Sequence, residues 1–152
     1  MNTLGIRTKP HEATIAVFDC ERDRIVNVEA IKIPKALSTP EGLKYLRNTI
    51  LDVVREYKIL KAGIRVTESN AQRLNIQRIE SEGVIQEAFS SSDLKSYFRG
   101  QISNISSRLN LERTRFKPLI EGTDQFGQIE NWAEFSEVER EAILTAIAAS
   151  HD

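Results

Sequence analysis

A chain of 152 residues with 40% hydrophobic and 28% charged side chains carries apolar material for one globular domain, which at this size buries roughly 68–70% of its unfolded surface. One cysteine, Cys20, excludes an internal disulfide framework and, with two histidines, leaves too few soft ligands for structural zinc, so the reducing cytoplasm is the expected compartment. The net charge of −1 excludes a global pull toward nucleic acid or an anionic membrane, and no apolar stretch is long enough for a signal peptide or a membrane span.

Three apolar runs open the chain: TLGI, then ATIAVF at residues 13–18, then IVNVEAIKI at residues 25–33. The polar ERDR between the second and third reads as a hairpin connection, and the pattern predicts a three-stranded antiparallel meander. Pro34 closes the third strand. Ser38, Thr39, Pro40 and Glu41 then give an N-cap, an early proline and a capping-box glutamate, opening a helix over about residues 40–57. Its apolar stripe is Leu43, Leu46, Ile50, Val53, Val54 and Tyr57.

KAGIRV reads as a buried strand laid parallel to the first by that helical crossover. Thr67 to Asn70 offer caps for a second helix through about Glu82, and VIQEAF at residues 84–89 is expected to be the fifth strand. Ser91, Ser92 and Asp93 are expected to cap a short helix containing Leu94, Tyr97 and Phe98. Residues 104–131 show no period and are expected to be irregular. A second capping box, Ser136 with Glu139, starts a last helix rich in Ala and Ile. The implied fold class is α/β, a mixed five-stranded sheet with helices on both faces.

The chain holds no GxxxxGK, GxGxxG, GxSxG or HExxH, so phosphate loops, dinucleotide binding, serine hydrolysis and zinc proteolysis lack their signatures. His11 sits in a loop, His151 is next to the terminus, and neither joins a nucleophile-and-base set. Charge is unevenly spread. Residues 99–118 carry Arg99, Arg108, Arg113, Arg115 and Lys117 against Glu112, a net +4, whereas residues 119–141 net −6.

The element order, spanning nearly the whole chain, resembles the ribonuclease H-like superfamily, nearest its RuvC-type branch. TLGIR is similar to the first strand of that family, where an acid normally follows the Gly and an apolar residue. AGIRVTESNAQRLNIQRIESEGVIQEA resembles its fourth strand and next helix, and EVEREAILTAIAASH its late acidic helix. The resemblance implies a nuclease in which carboxylates hold two divalent ions, Mg²⁺ or Mn²⁺, that activate water and stabilise the leaving oxygen. Carried over, the first-strand acid falls at Arg7, the fourth-strand acid at Val66 or Thr67 with Glu68 adjacent, and the late-helix acids at Val138 and Glu141.

A guanidinium cannot ligate a cation and repels one. Arg7 and Thr67 therefore mark a degenerate site with no metal, and Arg7 is expected to pair with Glu68 or Glu141 instead. The competing expectation is an active nuclease whose metal site is rebuilt from Glu68, Glu137 and Glu141, with Asp19 as a further ligand. Asp19 also reads as a turn cap at the opposite end of the sheet, and Glu137 as a first-turn acid favoured by the helix dipole. Arg99, Arg113, Arg115, Lys117 and Trp132, among the aromatics of the last third, form the candidate contact surface. Three uses are open to it: stacking on nucleic acid, packing of a loop, or docking of a protein partner or second copy. The expected role is a cytoplasmic binding or assembly module, with no membrane partner.

Overall fold

A computed structural model gives the architecture and describes residues 1–127 and 129–151. Gln128, inside the segment expected to be irregular, lies outside the described residues. The meander is β1 (Asn2–Lys9), β2 (Glu12–Asp19) and β3 (Arg24–Lys32), antiparallel throughout, with Arg7 opposite Thr14 and Asn2 opposite Asp19. The helix α1 (Thr39–Glu56) then crosses over to β4 (Ile59–Arg65), parallel to β1. Helix α2 (Ile76–Ser90) crosses to β5 (Ser96–Gly100), parallel to β4, and the sheet order is β3-β2-β1-β4-β5. The chain thus adopts the mixed five-stranded α/β sheet of a ribonuclease H-like fold.

Alternation along the strands sends side chains to two unlike layers. Leu4 and Ile6 of β1 join Ile15, Val17, Leu46, Ile50, Ile64 and Ile85 in an apolar core under α1 and α2. The opposite residues, Thr3, Gly5 and Arg7, lie under α5 (Glu137–Ala149). At Gly5 an added Cβ would stand 2.1 Å from the Ala142 carbonyl oxygen and 2.2 Å from the Ala146 nitrogen, so helix and strand touch backbone to backbone. Thr3 Oγ1 donates to the Ala146 carbonyl at 2.6 Å, which holds the contact in register. Helices therefore cover both faces.

Both capping boxes form: Ser38 with Glu41 starts α1, and Ser136 with Glu139 starts α5. Helix α2 starts later than expected, capped by Asn75, whose Oδ1 accepts the Arg78 N–H at 2.9 Å, and not by Thr67 to Asn70; three further expectations fail. Residues 84–89 are the C-terminal half of α2, because Ile85, Ala88 and Phe89 share one helical side and bury it on the sheet, a spacing that overrides the weak alternation. The fifth strand lies instead at Ser96–Gly100, where a short helix was expected. Ser91 ends α2, and the backbone of Tyr97 to Gly100 pairs with β4.

The third concerns residues 104–131. They include most of α3 (Ile102–Arg108), a 3₁₀ turn at Arg113–Arg115 and α4 (Phe116–Glu121). Each piece is too short to show a period, yet α3 buries Ile105 and α4 buries Phe116, Leu119 and Ile120 beside α5. Among the described residues no helix is long and apolar enough to cross a membrane.

Candidate functional site

The tripeptide Gly-Ile-Arg occurs at residues 5–7 and again at residues 63–65. In the parallel ladder Gly5 neighbours Gly63 and Arg7 neighbours Arg65, so the repeated words end side by side. Adjacent strands lie about 4.8 Å apart, which places two guanidinium groups on one face of the sheet with like charge. Only 7% of Arg7 and 4% of Arg65 is exposed, too little for water to screen them. An anion must stand between.

That anion is Glu141, carried by the residue before Ala142, whose carbonyl rests on Gly5. Its Oε2 lies 3.0 Å from Arg7 Nε and 3.2 Å from Arg65 Nε. Neither N–H is aligned for a hydrogen bond to it, so the bridge is coulombic. The hydrogen bonds go elsewhere: Arg7 Nη1 donates to the Arg65 carbonyl at 3.2 Å, and Arg65 Nη1 to the Val66 carbonyl. Burial lowers the Arg7 pKa from the ordinary arginine value to about 10, Glu141 opposes that, and Arg65 and Arg78 reinforce it. Arg7 therefore stays cationic at neutral pH. Arg78, half-buried nearby, is also lowered, chiefly by burial, against the pull of Glu141 and Glu82.

Glu68 continues the network. Its Oε2 is 3.1 Å from Arg65 Nη1 and accepts the Ile102 N–H at 3.0 Å, and its Oε1 is 3.9 Å from Arg113. Thr67 faces a different carboxylate: its N–H and Oγ1 donate to Glu82 of α2 at 3.0 and 2.7 Å, and Thr8 Oγ1 adds a third bond at 3.4 Å. Arg78 Nε closes this satellite by donating to the Thr8 carbonyl at 2.9 Å.

The remaining candidates disperse. Asp19 pairs with Asn2 in the β1–β2 ladder, a strand's length from Arg7, and its Oδ1 accepts the backbone N–H of Glu21 and Arg22 as a turn cap, which removes it from any relocated metal site. Glu137 is exposed on the rim of a cleft of about 270 Å³ that Arg65, Phe116, Lys117 and Glu141 also line. Trp132 is fully buried, with Nε1 donating to the Leu119 carbonyl at 2.9 Å, so it anchors its loop and leaves the contact surface. Arg99, Arg113, Arg115 and Lys117 are exposed.

Sequence reasoning missed Arg65, Glu82 and Arg140. The repeated Gly-Ile-Arg was the available signal for Arg65. Arg140 lies buried with no ion pair to an acid among the described residues and donates to the carbonyls of Ile120 at 2.6 Å, Trp132 and Ala133 at 3.3 Å, and Phe135.

The donor set does not fit a pair of divalent ions. Two guanidinium groups occupy the strand-end position, and the one carboxylate between them is spent on both. Among the described residues no group of three or more His, Cys, Asp or Glu is placed to hold a metal.

The fold is similar to that of Thermus thermophilus RuvC, in a structure in complex with Holliday junction substrate and in a second structure of the protein. The TM-score is 0.70 in both comparisons, at 14% and 12% identity, covering 99% of this chain and 93% of that one. The yeast mitochondrial Holliday junction resolvase matches at a TM-score of 0.53 and 10% identity, over 97% of this chain and 75% of its own. No protein-family model matches the sequence, nor does any curated protein. At these identities the likeness establishes the fold, which is ribonuclease H-like in its RuvC form.

Proposed function

We propose that this chain is a binding or assembly module in which an Arg7–Glu141–Arg65 bridge stands where a RuvC-type enzyme would hold its ions. One observation carries the reading: Glu141 Oε2 lies within 3.2 Å of two buried guanidinium nitrogens. A cation entering there would meet two positive charges with little water to screen them, and would have to displace both from the anion they share. The partner is a protein, a second copy included.

Native-state ligands raise the melting temperature by mass action. Titration with Mg²⁺ or Mn²⁺ is therefore expected to leave the melting temperature unchanged, and branched or single-stranded DNA and RNA incubated with Mn²⁺ should remain intact. A metal-dependent rise that disappears in Glu141→Ala, or cleavage abolished by that substitution, would restore the nuclease built from Glu68, Glu137 and Glu141.

A second reading, nucleic-acid binding without cleavage, draws on the exposed Arg99, Arg113, Arg115 and Lys117. It also draws on the Holliday junction substrate bound by the Thermus protein of like fold. Its affinity for a four-way junction would fall steeply with salt, and Arg113→Ala with Arg115→Ala would flatten that slope by roughly two phosphate contacts. No mobility shift at low salt would dispose of it.

A further inference from the structure

A groove of about 440 Å³ opens between the first turns of α1 and α2, on the face of the sheet opposite the arginine bridge. One wall is the corner where β3 runs into α1, built from Ile33, Pro34, Leu37 and Leu43. That corner is tight: an added Cβ at Gly42 would stand 2.9 Å from Ile33 Cγ2. The other wall is polar and belongs to α2, where Gln77 and Ser81 lie one turn apart on the same side. Gln77 Nε2 donates to His11 Nδ1 at 3.0 Å and so ties the β1–β2 turn across the end of the groove. Ser81 is only 1% exposed, yet its hydroxyl lines the groove and makes no hydrogen bond among the described residues. Such a hydroxyl costs free energy that a ligand able to bond it would recover.

The rim carries the charge. Of the first N–H groups of α1, those of Glu41 and Gly42 go to Ser38, Pro40 has none, and that of Thr39 makes no hydrogen bond among the described residues. Lys35 stands exposed at the same rim, with no ion pair among the described residues. The first turn of α2 contains no acid. Both helix starts therefore add positive potential to that of Lys35, against one rim carboxylate, Glu80. The balance suits a single negative charge and not two.

We infer that the groove takes the C-terminal residue of a partner protein. The terminal carboxylate sits at the start of α1, on the Thr39 N–H and Lys35. The last side chain, aliphatic or aromatic, packs against Ile33, Leu37 and Leu43, and its peptide group meets the Ser81 hydroxyl and the Gln77 amide. A chain end brings one carboxylate, one apolar side chain and one amide within a single residue, which matches the rim, the apolar wall and the polar wall in turn. Size agrees, since the 440 Å³ lies in the range of about 300–1,000 Å³ that holds small ligands. The inference rests on the protein-partner reading above and specifies where that partner docks.

N-acetyl-leucine, N-acetyl-valine and N-acetyl-phenylalanine are small probes with all three features. Titrated into the full ¹⁵N-labelled chain, at least one should shift the amide signals of Thr39, Gln77 and Ser81, with a dissociation constant on the order of a millimolar. Its carboxamide, which lacks only the charge, and N-acetylglycine, which lacks only the side chain, should each bind at least about tenfold more weakly. Lys35→Gln should shrink the preference for acid over carboxamide by about threefold or more. Ser81→Ala should weaken both forms alike, by about three- to tenfold. Its melting temperature should hold or rise, because alanine is the better helix former, whereas a merely structural Ser81 would move stability and leave binding alone. No shift with any of the three acids at about 10 mM, or equal binding of acid and carboxamide, overturns the inference. Metal titration reads Glu141 on the other face. A chain that binds Mn²⁺ and still takes the acids keeps the groove and loses the bridge reading, and a chain blind to both does the reverse.

Discussion

The two faces of the sheet solve the same packing problem differently. Under α1 and α2 the strands offer Leu4, Ile6, Ile15 and Ile64, and the helices answer with Leu46, Ile50 and Ile85, an interdigitated apolar layer in which losing one methylene costs about 0.5–1.5 kcal/mol. Under α5 the strand offers Thr3, Gly5 and Arg7, so the helix sits on bare backbone in the middle and over buried charge at one end. The first face tolerates changes of shape. The second tolerates almost none, and the same close approach of α5 that forbids a Cβ at residue 5 delivers Glu141 between the arginines.

That contrast can be broken by substitution. Gly5→Val is expected to be the most damaging change, about 5 kcal/mol or more, because the atoms in its way are backbone of α5 and cannot rotate aside. Thermal or urea unfolding would report it as loss of the folded state, and a mild effect would mean that α5 lifts easily. Glu141→Ala comes next at about 4 kcal/mol, since it leaves Arg7 buried without its anion and Arg65 with Glu68 alone. Its sharper counterpart is the triple change Arg7→Met, Glu141→Leu, Arg65→Met, which removes both cations with their shared anion and should recover most of that loss, Glu68 keeping the Ile102 N–H at 3.0 Å. If the triple variant is as unstable as the single one, the bridge does more than cancel its own charges.

On the apolar face Ile6→Val should cost only about 0.5–1.5 kcal/mol, the ordinary loss of one buried methylene. Arg113→Ala closes the series at about 0.5 kcal/mol or less, because its 3.9 Å approach to Glu68 is made by a side chain that is 65% exposed. Each value is a chemical-denaturation midpoint multiplied by its slope.

Much of this was legible from the chain. Two capping boxes located α1 and α5 because the bonds involved are local, between residues three apart. The meander was legible because polar connections separate its apolar runs. Val84 to Phe89 was misread because a six-residue apolar run fits either period, and only the sheet beneath α2 decides between them. Trp132 was misread for the opposite reason: clustering with basic residues in sequence carries no information on burial, which here depends on Leu119 and the carbonyls gathered by Arg140. At the site, the order of elements pointed to Arg7. Arg65 became visible only when the ladder set two copies of the same three letters next to each other.

The bridging carboxylate is covalently attached to the cations it neutralises, through the same polypeptide. A dissolved Mg²⁺ leaves when its concentration drops or a chelator competes for it, whereas a tethered counter-ion has an effective concentration fixed by the fold. On the proposed reading, closure at the strand ends is expected to be indifferent to dilution, to EDTA and to swings in free Mg²⁺.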